Sequence, residues 1–192
     1  MVLKCDFVCS DSKYSYQKMN TKRSFDVIID KLTRSIENVI SQDSFKTQVI
    51  ELTALDLSRI KPTDWLFNWK KETKDKTKTV YKLVIVDNPD IIQGLISLED
   101  RGDHIFMHLI ESSKFNRGQR KVYLGVPGNL VAFACKLSIE MGYEGFVSFE
   151  SKTKLIDHYK ESLGAYVLFN NILAIDSKGA KKLVLNYFPE IL

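Results

Sequence analysis

The chain has little of what disulfide-rich or membrane proteins need. Its 192 residues include only three cysteines and four prolines. Three cysteines are too few for a disulfide framework, and the pair Cys5 and Cys9 has no second pair of ligands for a structural zinc site. No apolar run approaches the roughly 20 residues that cross a bilayer, and the first residues lack the apolar centre of a signal peptide. We therefore expect a cytosolic protein with no membrane partner.

Chain length, composition and net charge limit the kind of protein this sequence can encode. Apolar residues make up 44% of the chain, which suits one globular domain over residues 1–192, with 1–22 as a possible N-terminal extension. The net charge of +4 is too mild for a protein that coats nucleic acid. Monomer and homodimer both remain open.

Acidic residues are missing from one stretch, between Glu111 and Glu140. Five basic residues fall within it: Lys114, Arg117, Arg120, Lys121 and Lys136. A short charge cluster is also typical of a solvated loop, but this one lies just before a glycine turn and a helical pattern. A loop followed by a helix N-terminus presents backbone N–H groups and a partial positive charge, which favours binding of a phosphate-bearing cofactor.

The first half of the chain predicts one helix and then a sheet. Apolar residues recur at helical spacing from Ser24 to Ser41. Residues 56–65 are expected to cross irregularly, and strands are expected at 65–72 and 79–87 with the lysine-rich stretch between them as a hairpin loop. Two further strands follow, at 90–98 and 104–111.

The second half alternates helices with short strands. The spacing predicts a helix that has Pro127 in its first turn and stops at Gly142, a buried parallel strand at 145–149, and a helix at 152–163 closed by Gly164. Two strands at 165–169 and 172–175 and a helix at 177–187 complete the chain. His158 is expected to face solvent.

This order of elements resembles that of the GCN5-related N-acetyltransferase (GNAT) superfamily, as a divergent member, over about Ser24 to Ile175. The resemblance implies a mixed α/β (α+β) fold. Its central sheet is mostly antiparallel, with splayed middle strands and flanking helices. Acetyl-CoA, as cosubstrate, binds between the two splayed strands in that family.

The basic loop resembles the family's pyrophosphate loop. Arg117 and Gly118 resemble its Arg-Gly pair, and Gly125, Val126 and Pro127 resemble its closing Gly-Ile-Gly. Six residues separate the two elements where about one is usual, and the proline removes an N–H donor. The resemblance implies cofactor contacts from these residues and their neighbours: Leu109, Ile110, Glu111, Arg117, Gly118, Arg120, Lys121, Gly125, Val126, Gly128, Asn129 and Lys152. The glycines could also serve only a turn and a close helix contact.

The helix at 152–163 resembles the family's closing motif, in which a tyrosine protonates the departing CoA thiolate. Tyr159 is the candidate general acid. A tyrosine on an amphipathic helix is more often a packing residue, so both interpretations stay open. His108, Glu111 and Glu99 are candidate bases, and strand alternation places His108 with Ile110 on one face and Glu111 on the other.

The sequence therefore predicts an acetyl-CoA-dependent N-acetyltransferase that acts on an unidentified amine. Direct attack in a ternary complex is the expected route. The alternative is a module of the same fold that is catalytically silent and serves to bind CoA or to interact with a partner. A nucleic acid partner is not expected, although a charged RNA acceptor is left open by the basic loop and the lysines between Lys70 and Lys78.

Overall fold

A seven-stranded mixed sheet forms the centre of the molecule, in a computed structural model that describes residues 27–32 and 35–189. The strands are β1 Ile36–Asn38, β2 Ser44–Phe45, β3 Thr47–Glu51, β4 Lys78–Ile85, β5 Asn88–Asp100, β6 Ile105–Ser112, β7 Tyr123–Leu124, β8 Val147–Glu150, β9 Tyr166–Phe169 and β10 Ile172–Ile175. The helices are α1 Ala54–Arg59, α2 Trp69–Glu72, α3 Val126–Glu140, α4 Ile156–Leu163 and α5 Ser177–Tyr187.

The main sheet has the order β3-β4-β5-β6-β8-β10-β9. All its neighbouring strands are antiparallel except β6 and β8, which are parallel. A smaller antiparallel sheet of order β2-β1-β7 ties the basic loop to residues that precede the main sheet. The mixed, mostly antiparallel fold class predicted from the sequence is confirmed.

The parallel junction is short, and the two middle strands separate beyond it. Pairing between β6 and β8 covers only three positions, from Ile105 opposite Val147 to Met107 opposite Phe149, although β6 continues to Ser112. A β-bulge lies at the point of separation, because Met107 pairs with Leu98 while Leu109 pairs with Ser97. The extra residue, His108, bends the strand and increases its twist. A cleft therefore opens beside the second half of β6.

Two hydrophobic clusters cover the faces of the sheet. The larger one joins α3 and α5 to the sheet through residues such as Leu83, Met107 and Leu130. The smaller one is built on Trp69 from α2, with Leu109 from β6 among its members. The helices hold these positions because their apolar residues face the sheet, and α1 begins with a capping box between Thr53 and Asp56.

Three sequence expectations in the first half are wrong. Of the helix expected at 24–41, the described residues 27–32 and 35–41 contain no helix, and Ile36–Asn38 is strand β1. The spaced apolar residues do not form one buried face, since Ile28 is 57% and Ile40 is 93% exposed. Residues 65–72 contain α2, which begins at the N-cap Asn68. The crossing segment 56–65 contains most of α1 and a short 3-10 turn, Pro62–Asp64.

The second half agrees with the sequence pattern. Helix α3, strand β8, helix α4, the pair β9 and β10, and helix α5 all lie where the pattern predicts them. Gly142 and Gly164 have φ of +86° and +67°, the left-handed conformation that ends a helix. Residues 1–22, Cys5 and Cys9 lie outside the described residues. No helix among the described residues is long and apolar enough to span a membrane.

Candidate functional site

The cleft beside β6 is the candidate site. A cavity of about 270 Å³ lies in it. Its lining combines β6, the basic loop, the start of α3 and the segment 27–30, and includes Val27, Ile28, Asp30, Leu66, Phe67, Ile110, Glu111, Ser112, Asn116, Arg117, Gly118, Lys121 and Pro127. The parallel junction and the splayed middle strands at this cleft are the architecture that the family resemblance implies. The fold is GNAT-like.

The cleft meets the N-terminus of α3 at Gly125. This residue is the N-cap of α3, a helix of 15 residues, and its φ of +84° lies in the left-handed region that favours glycine. Its backbone N–H donates a hydrogen bond to Oδ1 of Asp30 at 3.1 Å. The predicted anion-binding amide is therefore engaged by an anion from the chain itself. The helix dipole favours negative charge at this end.

Lys121 holds the same carboxylate. Its Nζ lies 2.7 Å from Oδ2 of Asp30, and the side chains are 24% and 11% exposed. One carboxylate thus receives a backbone N–H and an ammonium group from the predicted pyrophosphate loop. Both groups donate charge-assisted hydrogen bonds to this carboxylate, so this corner of the GNAT-like cleft is an anion site.

Tyr159 of α4 contacts the segment 27–32 at Val27, the end away from Asp30 and Lys121. It is fully buried and packs edge-to-face on Phe149 of β8. Its hydroxyl donates to the carbonyl of Val27 at 2.7 Å and accepts from the N–H of Val27 at 3.1 Å. Nε2 of His158, the residue directly before Tyr159 in α4, accepts from the N–H of Ile29 at 2.9 Å. His158 is therefore half-buried and engaged, and the expectation that it faces solvent is wrong.

Glu111 is buried at the end of β6 and accepts hydrogen bonds from several donors. The N–H groups of Leu66 and Phe67 donate to it, as does Nε1 of Trp69, at 2.6, 3.2 and 2.9 Å. Arg117 forms an ion pair with it at 2.7 Å, and also donates to the carbonyl of Asp64 at 2.8 Å. The arrangement makes Glu111 the anchor that holds the α1–α2 region against the sheet. Its role as a base stays a prediction.

His108, the bulge residue, lies in a separate cluster. Its Nε2 is 2.7 Å from Oε2 of Glu99. Burial lowers the pKa of His108, and the charge of nearby Lys78 acts in the same direction, while Glu99 opposes them. Burial raises the pKa of Glu99, but the hydrogen bonds and charges of His108 and Arg101 together outweigh it, so the pKa of Glu99 lies below its usual value. Together these shifts favour a neutral imidazole that donates to an ionised carboxylate.

The bulge also changes which residues share a face. His108 interacts with Glu72 of α2, and Glu111 bonds Trp69 of the same helix. Ile110 belongs to the larger cluster on the other face. The alternation that placed His108 with Ile110 is therefore wrong, because the inserted residue shifts the register of inward and outward positions by one.

The remaining predicted cofactor contacts lie around the cleft at different depths. Gly118 and Arg120 are exposed on the basic loop, and Lys152 is exposed just before α4. Val126, Gly128 and Asn129 are buried in the first turn of α3, and Leu109 and Ile110 are buried in the part of β6 that β8 leaves unpaired. Their contacts with a cofactor stay predictions. The six residues between the glycine elements, 119–124, include strand β7.

A second cavity, of about 620 Å³, lies near the end of β6. Its lining residues 64–65 and 113–115 are next in the chain to residues 66–67 and 116–118, which line the first cavity. Arg59, Lys61 and Lys114 bring cations to the second cavity, beside the rings of Trp65 and Phe115. Cys135 lies elsewhere, and burial raises the pKa of its thiol to about 12, so it is no nucleophile.

Comparisons with known proteins add similarity of fold only. No protein-family model matches the chain, and no curated protein matches it. A structure of AtaTR bound with AcCoA is 15% identical, with a TM-score of 0.49 over 72% of this chain and 98% of that one. A Bacillus subtilis acetyltransferase in complex with CoA is 13% identical, with a TM-score of 0.45 over 69% and 99%. The ribosomal-protein-S18-alanine N-acetyltransferase from Escherichia coli is 16% identical, with a TM-score of 0.43 over 67% of this chain and 92% of that one.

These values are too low to carry a conclusion about activity. The strand order, the parallel junction and the cleft are what make the fold GNAT-like.

Proposed function

We propose that this protein is an acetyl-CoA-dependent N-acetyltransferase. The observation that supports this most is the anion site at the start of α3, where the Gly125 amide and the Lys121 ammonium together bind a carboxylate beside the splayed strands. A diphosphate is bound by the same donors, because it presents anionic oxygens to a helix N-terminus and a lysine.

The residues present fit the cofactor. Lys121 and the Gly125 amide would hold the diphosphate, with Arg120 free in solvent to reach the remaining phosphate. The backbone of β6 from His108 to Ser112, which β8 leaves unpaired, would pair with the pantetheine amides. Acetyl-CoA supplies the thioester whose acetyl group is transferred.

Tyr159 is proposed as the general acid. In the transfer, the amine nitrogen forms a bond to the thioester carbon, the carbon–sulfur bond breaks, and the nitrogen loses one proton while the sulfur gains one. Tyr159 would donate that proton to sulfur, since its hydroxyl already donates to a carbonyl oxygen at 2.7 Å. The amine proton would pass to water. The second cavity, lined by residues next in the chain to those of the cleft, is the proposed entrance for the acceptor amine.

Calorimetric titration with CoA tests the proposal. We expect saturable binding with a dissociation constant below about 1 mM, which is the usual upper end for substrates of enzymes. The titration is run on the wild-type chain and on Asp30→Asn. The substitution replaces the carboxylate that accepts the Gly125 N–H with a neutral amide. Absence of binding in both proteins would remove the proposed function.

Tyr159→Phe tests the acid. Turnover should fall by about 100-fold, the lower range for loss of a general acid, while CoA affinity does not weaken. The ring contact with Phe149 is kept. Tyr143→Phe is the matched control, because the Tyr143 hydroxyl donates to Asp100, the exposed last residue of β5. Unchanged turnover in Tyr159→Phe would remove the acid assignment alone.

One observation favours the alternative of a catalytically silent module. The hydroxyl of Tyr159 and the amide of Gly125 are both engaged by the chain's own segment in the described structure. CoA binding without acetyl transfer to any member of a panel of amines would support that alternative.

A further inference from the structure

Residues 27–32 run through the cleft and touch the same donors that the proposed function assigns to acetyl-CoA. At one end, Asp30 takes the Gly125 amide and the Lys121 ammonium. At the other end, the main chain of Val27 takes the Tyr159 hydroxyl as both donor and acceptor. These contacts join residues 91 to 132 positions apart in the chain, so parts of the chain distant in sequence hold the segment in the cleft.

The segment also packs against the first turn of α3. A Cβ built on Gly128 would lie 3.1 Å from Cδ2 of Leu32 and 3.3 Å from the carbonyl oxygen of Lys31. A side chain at this position would therefore push against Leu32 and the carbonyl of Lys31, and the segment would have to shift by a few tenths of an ångström. The segment is therefore fitted to the cleft along its length, through charge at Asp30, main-chain hydrogen bonds at Val27 and Ile29, and close packing at Leu32.

We propose that residues 27–32 are an internal ligand of the cofactor cleft, which competes directly with CoA and must leave before CoA binds. The Asp30 carboxylate stands in for the diphosphate, and the main chain of Val27 holds the hydroxyl of the general acid. This inference rests on the proposed function, because it takes the cleft as the CoA site.

Under such competition, the apparent dissociation constant for CoA equals the intrinsic constant divided by the fraction of molecules whose cleft is open. Asp30 supplies the charged contacts of the segment, and a charge-assisted hydrogen bond is among the stronger ones in a protein. Neutralising Asp30 should therefore raise the open fraction, and the apparent affinity for CoA should rise with it.

The first experiment compares CoA binding by calorimetry in three full-length proteins. Asp30→Asn should bind CoA about tenfold more tightly than wild type, which corresponds to about 1.4 kcal/mol. Asp43→Asn is the matched control, since Asp43 is an exposed residue of the turn before β2 and makes the same change of charge. Its affinity should equal that of wild type. Equal or weaker binding by Asp30→Asn than by the control would overturn the inference.

The second experiment follows hydrogen exchange in the wild-type protein and needs no variant. The N–H groups of Val27 and Ile29 are held by Tyr159 and His158 when the segment is docked. Saturating CoA should speed exchange in a peptide that spans these residues by at least tenfold. CoA that binds without changing this exchange contradicts the inference and leaves the proposed function standing, whereas no CoA binding in wild type or Asp30→Asn removes both.

Discussion

Glu111 is a candidate base whose carboxylate already accepts hydrogen bonds that hold the fold together. Its carboxylate is 2% exposed, and it receives two backbone N–H groups, an indole N–H and an arginine. All four groups are donors, so the carboxylate oxygens serve them only as acceptors. A group that must take up a proton during turnover would release these donors while they remain buried, at a cost of about 1 to 3 kcal/mol for each neutral one.

Glu111→Gln should therefore act on stability. The glutamine amide presents N–H groups where the four donors need an acceptor, so we expect the free energy of unfolding to fall by about 2 to 4 kcal/mol. Urea unfolding measures it. Glu140→Gln is the control, because Glu140 is 48% exposed in an ion pair with Lys136, and it should change stability by less than about 0.5 kcal/mol. A stable Glu111→Gln protein with lost turnover would restore the role of base.

We expect His108 to make the free energy of unfolding depend on pH. Its pKa is lowered from 6.5 in the folded protein, chiefly by burial, so between the lowered value and 6.5 the unfolded chain binds more protons. Stability from His108 is therefore present above pH 6.5 and is lost as the pH falls through the lowered pKa. Glu99, whose pKa is lowered from 4.5, acts in a separate window below that value.

His108→Gln checks this sign. Glutamine stays neutral and can still donate to Glu99. Urea unfolding at about pH 7.5 and about pH 5.5 should show that wild type loses more stability on acidification than the variant does. Equal losses in the two proteins would mean that His108 does not carry the dependence.

At the scale of elements, α3 and α5 meet at Gly128. A Cβ on this residue would clash with the hydroxyl oxygen of Tyr187 in α5. That hydroxyl also donates to the carbonyl of Lys31 at 3.4 Å, so the helix pair and the cleft segment share one contact point. The glycine here serves close packing of helices, which is one of the two roles left open by the sequence.

Gly128→Ala should lower the free energy of unfolding by about 1 to 2 kcal/mol, because overpacking outweighs the better helix propensity of alanine. Adding Tyr187→Phe removes the atom that clashes, so the double variant should be more stable than Gly128→Ala alone, although Tyr187→Phe alone costs about 1 kcal/mol. A double-mutant cycle from urea unfolding measures the coupling. Additive costs would contradict the contact.

The elements that the sequence predicted well are those with local signals. Helices α3 and α5 and strand β8 combine clear periodicity with glycine or cap residues at their ends, such as Gly142 and Asp176. The segment at 27–41 shows helical spacing, yet its backbone groups bond α4 and β7 across the chain. Long-range partners of this kind leave no periodic trace, so propensity alone gave the wrong element.

The same division holds for the candidate site. Tyr159, Gly125 and Lys121 could be singled out by motif and charge, and they lie around one cleft. Asp30 and His158 could not, because their importance depends on partners 95 and 129 residues away. The only local hint was an isolated acidic residue at Asp30, and one carboxylate has no signature in sequence.

For the whole molecule, one sheet carries two hydrophobic clusters on opposite faces. Strand β4 shows the division, since Leu83 and Ile85 belong to the larger cluster while Val80 belongs to the smaller one. Each face is built on the same hydrogen-bonded strands, so neither cluster can lose its packing without disturbing the sheet beneath the other. That arrangement favours one cooperative unit, as the prediction of a single domain requires.

Two optical signals test this cooperativity, because they report opposite faces. The chain has two tryptophans, Trp65 and Trp69, and both belong to the smaller cluster or pack against it. Far-UV circular dichroism reports the helices, of which the longest, α3 and α5, belong to the other face. Urea transitions followed by the two signals should coincide in midpoint and slope. A fluorescence transition at lower urea would mean that the α1–α2 face, held by Glu111, unfolds on its own.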